Sequence, residues 1–386
     1  MKEKIILFKQ QCKHFSASFL YILYIGLSMY YPVYSIILKK MPNHIDKLIL
    51  VYHILLILLL VKIVFQNNSI IDWILLAIML YLCAKSYQYN YDFYNIFGTM
   101  MFLLCAKNIK LDKIIKLDFY IRIIRFVLYF ILPYFGWMSN HIHFYVGGRE
   151  RTFYGWTHPN MMGIDFLLLA MDLFYLRKES RKWYDILLYG SMIVLLDITA
   201  NSRTAEGAIF LLIIMQLVYL GFNEEIRHVL VIFFTVLSYL FSVLLPAFGC
   251  YLVIQHPDII YKYTGTLVSR FALTADFYSK NMGLGFYGFP LYSDFDCLDM
   301  LFSYVGLHWG ICAFIIFNAA ILYCLYHAIK LKHTDILVLL LIFFLYSSME
   351  TAHIFPTYSY FTLIIGFYGM NRKSHFPYKK KLPLYD

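Results

Sequence analysis

The sequence predicts an all-α polytopic membrane protein of about twelve transmembrane helices, with both termini on the cytoplasmic side. Three observations carry this. Of its 386 residues, 61% are hydrophobic. Only 15% are charged, where soluble domains have about 25%. The Lys and Arg also fall unevenly on alternate loops. Aromatic residues, at 20%, add to the case, since Trp and Tyr suit the headgroup zone.

A spanning helix needs about 20 mostly apolar residues. Candidate runs lie near 15–38, 48–66, 71–85, 92–106, 118–138, 159–177, 184–200, 204–221, 229–254, 299–327, 335–350 and 354–371. The basic start "MKEKIILFKQQCKHF" precedes a run longer than a signal-peptide core, and no A-x-A site follows, so this reads as an uncleaved first span. With the N-terminus inside, cytoplasmic segments hold 20 Lys/Arg and outer segments 10. Inverting the scheme inverts that bias, which fixes N-in and C-in. The net charge of +10 is then mainly a positive-inside signal and gives no support for nucleic-acid binding. Residues 1–386 form one transmembrane domain, ending in a basic cytoplasmic tail at 372–386. The seven cysteines are scattered without a CxxC and mostly sit in or beside apolar runs, so they read as packing residues.

Two outer loops are long. Residues 139–158 read "SNHIHFYVGGRERTFYGWTH". Residues 255–298 form a large extracytoplasmic loop rich in Tyr, Phe and Gly, which argues for a folded, partly helical segment. His141 and His143 form an H-x-H with no third ligand at a convincing spacing, so no metal is implied. "GLGFYG", from Gly283 to Gly288, lacks the strand–helix flanks of a nucleotide loop; its glycines allow a tight turn or a close approach.

Arginines collect on the outer face: Arg149 and Arg151 in the first loop, Arg203 at a helix mouth and Arg270 in the large loop. A guanidinium matches phosphate oxygens two at a time and keeps its proton, so the set suggests a phosphate-bearing ligand arriving from the bilayer. The plainer reading is headgroup snorkelling or pairing with Glu150, Glu206 and Asp276. In "THPNMMGIDF" the turn opens a helix, with Asn160 or Thr157 as cap and His158 as a general base, a phosphate donor or a neighbour of the cap. Asp165 and Asp172, seven apart, share a helix face and either mark a proton path or pair with buried cations. Asp197 and Glu206 are close enough in sequence to orient Arg203.

The order of these motifs resembles the O-antigen ligase / Wzy-type polysaccharide polymerase superfamily. The matching stretches are "RTFYGWTHPNMMG", "NSRTAEG", Arg270 followed by "GLGFYG", and "FDCLDMLFSYVGLHWG", covering about residues 139–310. The resemblance implies a capsular or exopolysaccharide repeat-unit polymerase in the plasma membrane, multi-pass, with its active site on the extracytoplasmic face. Donor and acceptor would be undecaprenyl-diphosphate-linked oligosaccharides, and no metal or cofactor takes part. A flippase and a chain-length regulator of the same pathway are the implied partners.

In this reading Arg203 and Arg270 hold the departing diphosphate, and His158 and Asp296 complete the catalytic set. Arg149, Arg151, Asn160, Glu206, Tyr263 and His353 line the substrate site. The family usually has Asn after the acid aligned at Asp296, and here Cys297 stands there. Asp294, Asp299 and His353 with Glu350 compete with Asp296 as base. Two other functions use the same features: a ligase with a different acceptor, and a transporter or flippase of lipid-linked sugars in which the acids at 165, 172 and 197 would be essential.

Overall fold

The computed structural model describes residues 2–66, 68–90, 93–139, 142–145, 149–263, 265–291, 298–351 and 354–371, with backbone alone for 2–14, 90, 142–145, 149 and 150. Helices dominate, and each of the twelve apolar runs contains one. The first run holds α1 (Lys2–Ser28) and α2 (Tyr30–Lys40). Pro32 cannot donate to the carbonyl of Ser28 and crowds it, which accounts for the interruption at Met29. Then come α3 (Ile45–Phe65), α4 (Ile70–Asn90), α5 (Phe93–Cys105) and α6 (Leu111–Ile131).

After a short antiparallel ribbon, β1 (Ile142–Tyr145) with β2 (Arg149–Thr152), follow α7 (Pro159–Leu176), α8 (Tyr184–Ile198), α9 (Arg203–Gly221) and α10 (Glu224–Gln255). The large loop carries α11 (Ile259–Lys262) and α12 (Thr266–Lys280). The tenth run is broken into α13 (Leu301–Ser303), a π turn (Tyr304–His308) and α14 (Ile311–Lys330). The last two are α15 (Thr334–Ser347) and α16 (Phe361–Met370).

Among the described residues, seven helical segments are long and apolar enough to cross a bilayer, rather than twelve. They are Phe15–Lys40, Pro42–Phe65, Ile70–Tyr89, α7, α9, α10 and α14. The helices α5, α8, α15 and α16 are too short, while α6 has the length but contains Asp118, Arg122 and Arg125. Burial explains the shortness. Nearly every residue of α15 and α16 is buried, and a helix apolar on all sides belongs in a core. In α7, 72% of the apolar window is buried, against 22% for α3. Central helices are therefore surrounded by peripheral ones such as α10, whose Phe233, Leu237, Leu240 and Leu244 face outward.

Ribbon register pairs Ile142 with Thr152 and Tyr145 with Arg149. It departs from the all-α expectation: "IHFY" and "RERT" mix β-branched and aromatic residues, which favour strands, on either side of a Val-Gly-Gly sequence. The ribbon is pinned to the α8–α9 turn, where the amide of Thr152 donates to the carbonyl of Thr199 at 3.1 Å.

Helix ends sort into two groups. At one end Lys62 lies buried, donating to Gln66 and to the carbonyls of Cys105 and Lys107, and so satisfies acceptors left open where α5 stops. Asn371 donates to the carbonyl of Ala106 there, and Lys178–Asp112 and Arg181–Asp335 pair there too. The opposite end gathers Arg151, Asn160, Arg270 and Glu350.

Candidate functional site at the arginine end

The turn before α7 settles which residue caps it. Pro159 takes the first helical position, and His158 Nδ1 accepts the amide of Asn160 at 3.1 Å. His158 is therefore the cap, not Asn160 or Thr157. The correction matters because it leaves the Asn160 side chain available. Asn160 Oδ1 accepts from Arg151 at 3.2 Å, and its Nδ2 donates to Glu350 Oε1 at 3.0 Å. Arg151 also donates to the carbonyl of Ala200, which ties the ribbon, α7 and the α8–α9 turn together.

Glu350 lies just beyond α15 and is also held from the other side. Arg270, on α12 and only 5% exposed, donates to Glu350 at 2.7 Å and to Asp299 at 3.2 Å. Its remaining nitrogen, Nη1, is buried with no hydrogen-bond partner among the described residues. Burial raises the Glu350 carboxyl to about 7, and Asp299 adds to the rise. Arg270 and the bond from Asn160 oppose it without cancelling it. A carboxylate poised near neutrality, beside a guanidinium with an unused donor, is equipped to accept a proton while an anion is held next to it.

Arg203 is the first residue of α9 and is exposed. The start of a helix is its positive end, where a cation is disfavoured unless an anion is present. Among the described residues it forms no ion pair within 4.0 Å with Asp197 or Glu206, but Glu206 lies within electrostatic reach of it. Asp276 pairs with Lys280 of its own helix rather than with an arginine. Of the other expected residues, Tyr263 is exposed after α11, and Glu206, in the first turn of α9, lies within electrostatic reach of Arg151 as well as Arg203. Arg149 is placed in β2 by its backbone only. Asp294, Asp296 and His353 lie outside the described residues.

Beneath this end sits a charge cluster that the sequence reading missed in part. Arg122 bonds Asp118 at 2.5 Å and Asp165 at 2.7 Å, and Arg125 reaches Asp165 at 2.9 Å. Asp172 lies 3.8 Å from Arg122 and accepts from Tyr360. Of the two readings of Asp165 and Asp172, the pairing with buried cations is the one seen. The available signal was the i,i+4 pair Asp118–Arg122 inside an apolar run.

The glycines of "GLGFYG" turn out to serve backbone packing. The first amides of α14 lack partners within their own helix; those of Ile311 and Cys312 donate to the carbonyls of Gly285 and Phe286, at 3.1 and 3.3 Å. A Cβ on Gly288 would lie 1.9 Å from the carbonyl oxygen of His308. Alongside, an apolar cavity of about 350 Å³ opens between α10, α12, the π turn and α14, with Thr274, one turn beyond Arg270, in its wall. Comparison with known protein families, curated proteins and solved structures gives no match to this chain.

Proposed function

We propose that the chain is an extracytoplasmic glycosyltransferase that joins undecaprenyl-diphosphate-linked oligosaccharides into a capsular or exopolysaccharide. The observation that carries this is Arg270, buried against Glu350 with Nη1 unused. The charge bias of the loops, 20 against 10 on the twelve-span scheme, supports an arginine end outside the plasma membrane. There a polyprenyl diphosphate would meet Arg270 and Arg203, with Arg151 close behind Asn160.

The chemistry is balanced by these groups. An acceptor sugar hydroxyl attacks the donor's anomeric carbon and gives its proton to Glu350. The bond from that carbon to the phosphate oxygen breaks, and the electron pair leaves with the lipid diphosphate. Fixed guanidinium groups stabilise the growing negative charge; one preorganised donor of this kind typically contributes about 3–4 kcal/mol. A positioned base adds about 10²–10⁴-fold. Glu350 takes the base role in place of Asp296. The transporter alternative is less favoured, because Asp165 is already engaged by Arg122 and Arg125.

The test uses purified protein in nanodiscs with a diphosphate-lipid-linked repeat unit, products being resolved by length. A ladder is expected from the wild type. Arg270→Ala should lower its rate about 10²–10³-fold, and Glu350→Gln about 10²–10⁴-fold. A single addition onto a different acceptor would indicate a ligase. Lipid crossing the bilayer without sugar transfer would sink the proposal.

A further inference from the structure

Two bonds leave the buried charge cluster for the segments that hold Asn160 and Glu350. Trp156, fully buried, donates from Nε1 to Asp165 Oδ2 at 2.8 Å; it stands two residues before His158 and four before Asn160. Arg122 donates to the carbonyl of Tyr358 at 2.7 Å, on the connection that runs from Glu350 to α16. Asp165 receives Arg122 on one oxygen and Trp156 with Arg125 on the other. One carboxylate thus couples α6, the entry to α7 and the segment following Glu350. The Asn160–Glu350 bond closes across the top of that unit.

Buried ion networks give little net stability, since well-packed apolar residues of similar volume often do as well or better. In some proteins they fix a single geometry instead. A reacting site needs one, because a displacement of about 1 Å costs about 100-fold in rate.

We propose that Trp156, Asp165 and Arg122 are positioning residues that set the Asn160–Glu350 hydrogen bond, and with it the placement of the Glu350 carboxylate. The inference rests on Glu350 as the base, but its test does not require turnover. Among the described residues, the charged and titratable groups facing Glu350 are Arg270 of α12, Asp299 ahead of α13 and Tyr346 of α15. Asn160 of α7 is the neutral donor. Slackening that donor removes a bond to the ionised form, so the carboxyl should hold its proton to higher pH.

The carbonyl stretch of protonated Glu350 is followed by infrared difference spectroscopy on the full chain in nanodiscs, assigned by its loss in Glu350→Gln. In Trp156→Phe, which keeps a ring but loses the Nε1 donor, the midpoint should rise by about half a pH unit, a threefold change in the equilibrium. Turnover should fall about tenfold with KM within twofold, for a displacement smaller than about 1 Å. Phe126→Leu disturbs the ring packed 5.5 Å from Trp156 but leaves the hydrogen bond, so it should lower Tm without moving the midpoint. Arg122→Lys keeps the charge but loses the fork, and should shift the midpoint as Trp156→Phe does; it gives the reading if that variant does not fold. A midpoint equal to wild type in the folded variant, or an equal shift in Phe126→Leu, overturns the proposal. If the wild type transfers no sugar, the proposed function fails while the titration still decides the positioning.

Discussion

Gly163, one turn into α7, is where a single methyl group probes the mouth of the bundle. A Cβ there would lie 2.3 Å from Ser202 Oγ, 2.7 Å from Ser202 Cβ and 3.1 Å from Ala205 Cβ. The hydroxyl can rotate away, but the two carbons on the backbone cannot. Carbon atoms prefer about 3.5–4.0 Å, so in Gly163→Ala the start of α9 must retreat from α7 by about 1 Å. Overpacking of this kind costs about 1–3 kcal/mol, which for a chain of this size lowers Tm by about 1–4 °C.

The functional cost is larger, because Ser202 adjoins Arg203 and the carbonyl of Ala200 holds Arg151. A misplacement of about 1 Å predicts about a 100-fold loss of polymer formation. Ser202→Gly removes the two shortest contacts and leaves only that to Ala205 Cβ at 3.1 Å, and glycine in place of serine at an N-cap costs roughly a few tenths of a kcal/mol. Added to Gly163→Ala, it should restore most of the Tm and the rate, both read from purified protein and the ladder assay. If Gly163→Ala equals wild type in both, or Ser202→Gly restores neither, the contact does not set the site.

Two further outcomes follow from the same geometry. Because Glu350 titrates at about 7 and must be ionised to act as base, turnover should be full above that pH and fall about tenfold per unit below it; a flat wild-type profile between pH 5 and 8 would remove Glu350 from the role. The stability sign is opposite: the folded carboxyl binds its proton more tightly than the ordinary value of 4.5, so its contribution to stability is lost as pH rises through about 7. Gly310→Ala, at φ +92° with a Cβ only 2.3 Å from the backbone nitrogen of Gly288, should cost about 3 kcal/mol or more and sharply lower the yield of folded protein. An unchanged Tm would mean that the two backbones do not meet.

Helix positions were legible because apolar runs of fixed length have few other uses in a chain this hydrophobic. Span count was not: whether α15 and α16 face lipid or protein depends on what surrounds them, and their sequences are apolar either way. Arg151 and Arg270 were readable as arginines of the outer loops, and Asn160 as a polar residue at a helix start. Their convergence on Glu350 joins positions 80 and 190 residues apart, and no local pattern reports that. His158 was misread because histidine is an uncommon cap, and only the geometry of the turn reveals its Nδ1 as the acceptor. Arg122 and Arg125 sit inside an apolar run, where hydropathy marks a span and does not report their buried partners.

The shortness of α15 has a consequence for depth. Its 14 residues rise about 21 Å, against a hydrocarbon layer of about 30 Å. Set in a bilayer, a helix of that length cannot bring both of its ends to the surface. The protein fixes how deep its carboxylate and guanidinium lie, while the surrounding lipid fixes how deep a diphosphate headgroup rides. On the proposed function, transfer would require the two levels to coincide, so the rate should vary with membrane thickness.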